Sequence, residues 1–233
     1  MEADLAISPR FAAEAAVANA PFENTDEGAL LNFPVVELRS FDAREAIFSE
    51  GETATDIFEI LEGAVMVVRH LSGGRRQILD IAGPGRIIGL TLGQTHDCSA
   101  IALGKASVHC HDRRPDRTSL PPDVQLTAAM FDEIRRLRDL ASSLGRKTAV
   151  ERLAGFLLAM IPDEACSEAP VELVLPVSRP EIADHLGLVV ETVCRNFTLL
   201  KRQGFIQVAG NYRLTIVDPS ALRRMAAGES SRD

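Results

Sequence analysis

Four polar or reactive side chains stand close together in the stretch LGLVVETVCRNF: Glu191, Thr192, Cys194 and Arg195. On a helix, Glu191 and Arg195 lie one turn apart, where they can form a surface ion pair worth about 0.2–0.5 kcal/mol. The pair also has a second chemistry. A carboxylate accepts a hydrogen bond from cytosine and a guanidinium donates two to guanine, each contact contributing ~1–3 kcal/mol of base discrimination. The elements that position the stretch decide between these interpretations.

A second candidate for chemistry is the stretch HCH, which places His109 and His111 on one face of a strand. Two imidazoles can bind a transition metal ion, as in a cupin-like sandwich enzyme. A catalytic site needs a third ligand and usually a fourth, such as a glutamate four residues on, but DRRP follows the histidines instead. We therefore interpret both as surface histidines near the end of a barrel, and we expect no metal, no cofactor and no catalytic residue.

The cysteines are widely spaced, and none forms a CxxC pair: Cys98, Cys110, Cys166 and Cys194. This spacing predicts neither a disulfide framework nor a zinc or iron–sulfur motif, and it is typical of thiols in a reducing compartment. The chain does not begin with a basic segment followed by an apolar run. No stretch approaches the roughly 20 apolar residues of a membrane span. We expect a cytoplasmic protein without a membrane partner.

The net charge of -8 argues against nonspecific binding of nucleic acid until it is divided along the chain. Residues 1–145 hold 14 basic and 22 acidic side chains, whereas residues 146–233 hold 11 of each. Between Ser178 and Arg213 the balance is positive, with five basic and three acidic side chains. A local basic surface is therefore compatible with the acidic whole.

The fold class predicted by the pattern along the chain is α+β. The segments are an N-terminal extension (1–32), an antiparallel β-sandwich or jelly roll (33–116), a long helix (117–147), a winged helix domain (148–225) and a tail (226–233). Short apolar runs cut by glycine-containing turns at roughly ten-residue intervals indicate the sandwich. The paired glycines of SGGRR supply the positive φ that a hairpin tip needs.

The long helix carries a narrow apolar stripe with spacings of three and four. Its members are Leu126, Met130, Ile134, Leu137, Ala141 and Leu144. The stripe can pack on the chain's own sandwich or on a second copy of itself. We favour a dimer helix, because the helix is long and the stripe is narrow.

Two short helices joined by LGL follow. Inward positions are Ile182, Ala183 and Leu186 on the first helix and Val193, Phe197 and Leu200 on the second, which begins near Val190; Glu191, Thr192, Arg195 and Asn196 point away. Ala183 stands four residues before Gly187, as a helix-turn-helix requires, because the helices nearly touch and the turn needs positive φ. The strands of GFIQVAGNYRLTI, with a turn at Gly210 and Asn211, complete a wing.

This arrangement favours DNA readout over a surface ion pair. The predicted base-reading residues are Glu191, Thr192, Cys194 and Arg195. The predicted phosphate contacts are Arg179, Lys201, Arg202 and Arg213.

The order of sandwich, long helix and winged helix resembles the CRP/FNR family of bacterial transcription regulators over roughly residues 33–220. The sharpest similarities lie in SEGETATDIFEILEGAVMVV, RKTAVERLAGFLL and RPEIADHLGLVVETVCR. The resemblance implies a homodimer that binds palindromic double-stranded DNA upstream of promoters and contacts RNA polymerase. It also implies half-sites about one helical turn apart.

The sensors of other members do not match this chain. Members that bind cyclic AMP resemble one another in a Gly-Glu pair and an Arg-Ser pair, but Leu90 stands at the glutamate position here and Cys98 at the arginine position. An unpaired buried phosphate costs several kcal/mol, so no cyclic AMP is expected. Oxygen-sensing members carry an N-terminal cysteine cluster, and Cys110 alone cannot hold a [4Fe-4S] cluster.

What remains resembles the FixK-like branch. This implies control, commonly activation, of genes for low-oxygen respiration, nitrogen fixation or denitrification, and a half-site read as TTGA…TCAA. An unrecognised small ligand in the sandwich is an alternative that the sequence leaves open.

Cys194 stands where oxygen-linked members usually carry a serine that contacts a base or phosphate. The thiol donates a weaker hydrogen bond, but it can touch a thymine methyl. In the first turn of a helix and beside Arg195, it has two reasons to ionise and to be oxidised readily. Two hypotheses stay open: oxidation of Cys194 lowers DNA affinity, or the residue is a tolerated small side chain without a regulatory role.

Overall fold

The computed structural model describes residues 35–112, 124–161, 170–210 and 212–229. The predicted N-terminal extension (1–32), Cys166 and Asn211 lie outside these ranges. The described residues form two compact units, of which the first ends at Arg138 and the second begins at Asp139. No helix in the described ranges is long and apolar enough to cross a membrane.

The first unit is the predicted antiparallel sandwich. Its strands are β1 (Val35–Phe41), β2 (Ala46–Phe48), β3 (Asp56–Glu62), β4 (Val65–His70), β5 (Arg76–Ala82), β6 (Ile87–Ile88), β7 (Ser99–Ala102) and β8 (Ala106–Asp112). They form two four-stranded sheets in the orders β1-β8-β3-β6 and β2-β7-β4-β5. Inward side chains such as Phe58, Ile60 and Val108 build the core between them. Gly73 and Gly74 take φ of 80° and 74° at the tip of the β4–β5 hairpin, as predicted.

Helix α1 (Val124–Arg146) has two differently used faces in its first half. Leu126 and Ala129 pack against Ile57 and Ile87 of the sandwich, so Leu126 has a contact within its own chain, and its role in a dimer stays a prediction. Four large apolar side chains on α1 are exposed: Met130, Phe131, Ile134 and Leu137. Three of them belong to the predicted stripe, and Phe131 was not foreseen.

A polar cluster fixes the same helix on the sandwich. Arg86 donates to Asp80 on β5 and, at 3.2 Å, to Glu133 on α1. Burial and the nearby Asp80 raise the pKa of Glu133. The ion pairs therefore tie α1 to β5 of one sheet and to the residue that precedes β6 of the other.

The second unit contains the predicted winged helix and two elements that the sequence pattern missed. Its elements are α2 (Ala149–Ala159), β9 (Val171–Val174), α3 (Arg179–Leu186), α4 (Val190–Arg202), β10 (Ile206–Ala209), β11 (Arg213–Ile216) and α5 (Pro219–Ala226). Strand β9 pairs with β11 and extends the two-stranded wing to a three-stranded sheet. Helix α5 packs on α2. Helix α5 ends at Ala226, one residue beyond the predicted end of the winged helix domain at residue 225.

Candidate nucleic-acid interface

The turn between α3 and α4 has the geometry that the sequence predicted. The Ser178 backbone N–H and hydroxyl donate to the Glu181 carboxylate at 2.7 and 2.8 Å, which fixes the start of α3. Gly187 ends α3 at φ 63° and ψ 41°, and its N–H donates to the Ala183 carbonyl. The Leu188 N–H donates to the same carbonyl at 3.0 Å. Because this conformation is costly for residues with a Cβ, the glycine determines the angle at which α4 leaves α3.

Arg152 ties this turn to the end of α1. Its guanidinium donates to the Leu144 carbonyl at 2.7 Å and to the Leu186 carbonyl at 3.0 Å, and its Nε donates to the Lys147 carbonyl. These are carbonyls at helix ends, which lack partners within their own helices. A Cβ on Gly187 would lie 3.2 Å from Leu144 Cδ2. Leu144 therefore lies against the turn of its own chain, and its place in the dimer stripe stays a prediction.

Helix α4 places the four predicted base-reading residues on its outer side. Val193, Phe197 and Leu200 are buried, as predicted, whereas Glu191, Cys194 and Arg195 are exposed and Thr192 is half-buried. Arg195 Nη2 donates to Thr192 Oγ1 at 3.0 Å. The competing interpretation, an ion pair between Glu191 and Arg195, does not appear among the described contacts. Asn196 departs from its predicted outward position, because it is half-buried and its amide nitrogen is buried.

The predicted phosphate contacts fall into two groups. Lys201, Arg202 and Arg213 are exposed, the first two in the last turn of α4 and the third at the start of β11. Arg179 is only partly exposed, and its guanidinium lies 3.2 Å from the centre of the Phe197 ring. Burial lowers the pKa of Arg179, and Cys194 opposes this effect. Packing under α4 is thus an established role of Arg179, and phosphate contact stays a prediction.

Three further residues on this surface were not foreseen. Val189, the residue before α4, is 62% exposed and provides an apolar group of the kind that contacts a thymine methyl. Thr198 donates to the Cys194 carbonyl at 3.0 Å, and Leu199 is partly exposed. Thr198 and Leu199 line a shallow concavity together with Cys194, Arg195 and Arg202. The spacing of Thr198 from Glu191 and Arg195 would have indicated its face.

Cys194 lies deeper along α4 than the sequence suggested. Since α4 begins at Val190, Cys194 is its fifth residue rather than a member of the first turn. The field of a helix terminus falls off within one turn, so the N-terminus of α4 acts only weakly at this position. The thiol is exposed, and Arg195 follows it directly on α4.

The positions that differ from nucleotide-binding members are occupied by packed side chains. Leu90 packs with the Ile57 and Ile87 cluster, and Cys98 packs partly against the sandwich core. Burial and the neighbouring Asp97 raise the pKa of the Cys98 thiol to about 12. A neutral thiol beside a carboxylate offers no charge that attracts a phosphate.

The sequence suggested that the two histidines of HCH lie at the surface, and this prediction is wrong. His109 and His111 are both buried, and so is Glu59, which faces them from β3. The sequence has no glutamate four residues after the histidines, but Glu59 on the neighbouring strand provides a carboxylate beside them. The Cys110 side chain between the histidines points into the core, and burial raises the pKa of its thiol to about 11.

Comparisons with known proteins match both units. The model of the Crp-like helix-turn-helix domain matches residues 151–225, and that of the cyclic nucleotide-binding domain matches residues 38–114. The nitrogen fixation regulation protein FixK of Bradyrhizobium diazoefficiens is 34% identical over 192 residues, which cover 80% of this chain and 81% of FixK. The transcriptional activatory protein AadR of Rhodopseudomonas palustris is 34% identical and covers 80% of both chains. The structure of FixK2 from Bradyrhizobium japonicum aligns with a TM-score of 0.72 and 35% identity, covering 81% of this chain and 96% of FixK2.

Proposed function

The chain belongs to the CRP/FNR family of transcription regulators, in its FixK-like branch, and from this premise we propose that a homodimer binds a palindromic TTGA…TCAA site. The exposed side of α4 carries the proposal. A TTGA half-site has one G·C pair, and Arg195 and Glu191 match its guanine and its cytosine. Thr192, Cys194 and Val189 are left for the flanking A·T pairs, whose thymine methyl groups accept apolar contact.

Phosphate contacts fix the register of α4 in the major groove. Lys201, Arg202 and Arg213 are the exposed cations of α4 and the wing, and each positions the protein without reading sequence. Arg179 joins them through the edge of its guanidinium that does not face Phe197. These basic side chains are concentrated on one part of the chain, so DNA binding is compatible with a net charge of -8 for the whole chain.

The dimer is formed through the middle of α1. Met130, Ile134 and Leu137 are exposed in the single chain, and Ala141 continues their stripe. Exposed apolar residues at this spacing are typical of a two-stranded helical contact. A two-fold dimer presents two α4 helices and thereby matches a palindrome.

The regulated genes belong to low-oxygen respiration, nitrogen fixation or denitrification, and the protein acts mainly as an activator that contacts RNA polymerase. The names of FixK and AadR support this assignment. It acts through DNA and not as an enzyme. It does so without cyclic AMP, because Leu90 and Cys98 replace the two charged partners of the nucleotide.

Selection of bound duplexes from a random pool tests the proposal. We expect enrichment of TTGA…TCAA with half-site centres about one helical turn apart. A matched selection with Glu191→Ala should show a weaker preference for the G·C pair, reduced to the part contributed by Arg195, and should keep the spacing. Enrichment of an unrelated sequence, or of no sequence, would contradict the proposed specificity.

We further propose that oxidation of Cys194 lowers DNA affinity. The thiol is exposed on the DNA-facing side of α4, whereas the raised pKa values of Cys98 and Cys110 keep those thiols protonated and poorly reactive. Peroxide transfers one oxygen to the Cys194 thiolate and leaves as hydroxide, and the resulting sulfenic acid adds bulk against the phosphates.

Peroxide titration of DNA binding tests the redox proposal. Wild type should lose affinity and recover it with a reducing thiol, while Cys194→Ser should stay unaffected. Equal losses in the two proteins would assign the sensitivity to another residue.

A further inference from the structure

Three buried side chains on β3 and β8 form a cluster that DNA binding does not use: Glu59, His109 and His111. Glu59 pairs directly with His109 in the β3–β8 register, and His111 lies two residues further along the same strand. Directly paired residues of antiparallel strands point to the same face, so all three side chains share one face of the sheet. The opposite face carries Phe58 and Cys110, which belong to the core. The cluster is therefore built by strand alternation on the outer face of the sheet.

This outer face is covered, although it lies outside the sandwich core. Glu59, His109 and His111 are 2%, 8% and 0% exposed. Ile57, two residues from Glu59 on the same face, packs with Leu126 and Ala129 from the first turns of α1. Buried charged groups in proteins are paired or coordinate metal ions, and this buried cluster offers the donors for either.

The distances fit a shared metal ion better than direct ion pairs. Glu59 Oε2 is 3.8 Å from His109 Nδ1 and 3.5 Å from His111 Nε2, and the three ligand atoms lie within 4.8 Å of one another. A charge-assisted hydrogen bond would bring such atoms to about 2.7–2.9 Å. Two ligands bound at about 2.0–2.1 Å to one tetrahedral ion are roughly 3.4 Å apart. Small side-chain shifts therefore complete a coordination sphere with an open position.

We propose that Glu59, His109 and His111 bind a divalent first-row transition metal ion such as Zn²⁺ or Fe²⁺. Imidazole nitrogens select such ions over Mg²⁺ and Ca²⁺, which prefer oxygen ligands, and two histidines with one carboxylate are a common set for both zinc and non-haem iron. The site lies beside the contact between β3 and the start of α1. Its occupancy therefore stabilises the part of the sandwich from which α1 departs. The proposal is independent of the DNA sequence that α4 reads.

Metal titration of the full chain tests this assignment. The protein is stripped with a chelating resin, and Zn²⁺ is added in competition with a chromophoric chelator. We expect one tightly bound Zn²⁺ per chain, not displaced by excess Mg²⁺. Binding should weaken by more than about tenfold in Glu59→Gln and in His111→Gln, because even residues that only support metal ligands contribute that much.

The exposed pair of His70 and Glu50 provides a matched control. Its nitrogen and oxygen atoms are 3.6 Å apart, and among the described residues no third ligand group joins them. His70→Gln and Cys194→Ser should bind Zn²⁺ like wild type. Loss of binding in either control, or equal affinity in wild type and Glu59→Gln, would overturn the site.

Co²⁺ binding to wild type decides the question if the cluster variants fail to fold. Visible absorption that saturates at one Co²⁺ per chain and disappears on addition of Zn²⁺ supports the proposal. Lack of such absorption overturns it.

Discussion

Arg195→Ala provides the sharpest test of how α4 reads DNA. Arg195 is exposed, and its described hydrogen bond goes to Thr192 at 3.0 Å. Because that bond is exchanged for a contact with guanine on binding, the loss on mutation is smaller than the whole guanine contact. We expect the variant to bind the TTGA…TCAA duplex more weakly and to discriminate less at the G·C pair.

The magnitude follows from these two contacts. A bidentate arginine–guanine contact contributes ~1–3 kcal/mol of discrimination. Giving up an exposed hydrogen bond to Thr192 costs about 0.5 kcal/mol. The net effect of about 0.5–2.5 kcal/mol per half-site corresponds to roughly a 2- to 70-fold change in affinity.

Fluorescence anisotropy with two duplexes measures this effect. One duplex carries two TTGA half-sites, and the other has the G·C pair of one half-site replaced by A·T. The wild-type preference for the first duplex should shrink in Arg195→Ala to the part contributed by Glu191. Lys201→Ala is the control, because loss of a phosphate contact should weaken both duplexes equally and lower the salt slope by about one. An unchanged preference in Arg195→Ala would remove Arg195 from base readout.

Further predictions concern the dimer helix and the turn. Ile134→Glu should raise the dimer dissociation constant by at least about 100-fold in sedimentation experiments, since two isoleucines lose ~1.5 kcal/mol each. Arg135→Glu, about 100° further around α1, should stay dimeric. Gly187→Ala should lower the free energy of unfolding by about 1–2 kcal/mol in urea denaturation, because φ is 63°. Gly155→Ala, inside α2 where the new methyl has space, should instead raise it by up to about 1 kcal/mol; equal signs would refute the conformational argument.

Much of the DNA-facing side of α4 could be predicted from the sequence, because it depends on residues that are close together along the chain. The spacing of Ala183 and Gly187 specifies the turn, and the inward residues of α4 specify which side remains for DNA. Strand β9 was missed because VELV offers only Val171 and Leu173 as inward positions, too short an alternation to separate a strand from a loop. Helix α5, in contrast, carries the start signals Asp218 at the N-cap and Pro219 after it, so its beginning is predictable from the sequence.

The parts that could not be predicted depend on contacts between distant segments. Arg152 reads as one basic residue of an amphipathic helix, yet it joins the carbonyls of Leu144 and Leu186. The apolar stripe of α1 likewise has a single periodicity along the helix, but its residues contact different parts of the structure. Leu126 packs on the sandwich, Leu144 packs on the turn, and only the middle is exposed. Periodicity gives the face of a helix, whereas its neighbours along that face depend on tertiary structure.

The HCH stretch also depends on a contact between distant segments that the sequence pattern does not predict. Alternation along β8 sends Cys110 into the core and its two neighbours to the other face, which the sequence already implies. It does not imply that Glu59 lies opposite His109, because that pairing depends on the register of β3 against β8. A slip of one residue would place Phe58 or Ile60 on the outer face and remove the carboxylate from the histidines. The packing of Phe58 and Ile60 in the core therefore selects the register that assembles the proposed metal site, so that a hydrophobic constraint determines the position of a polar cluster.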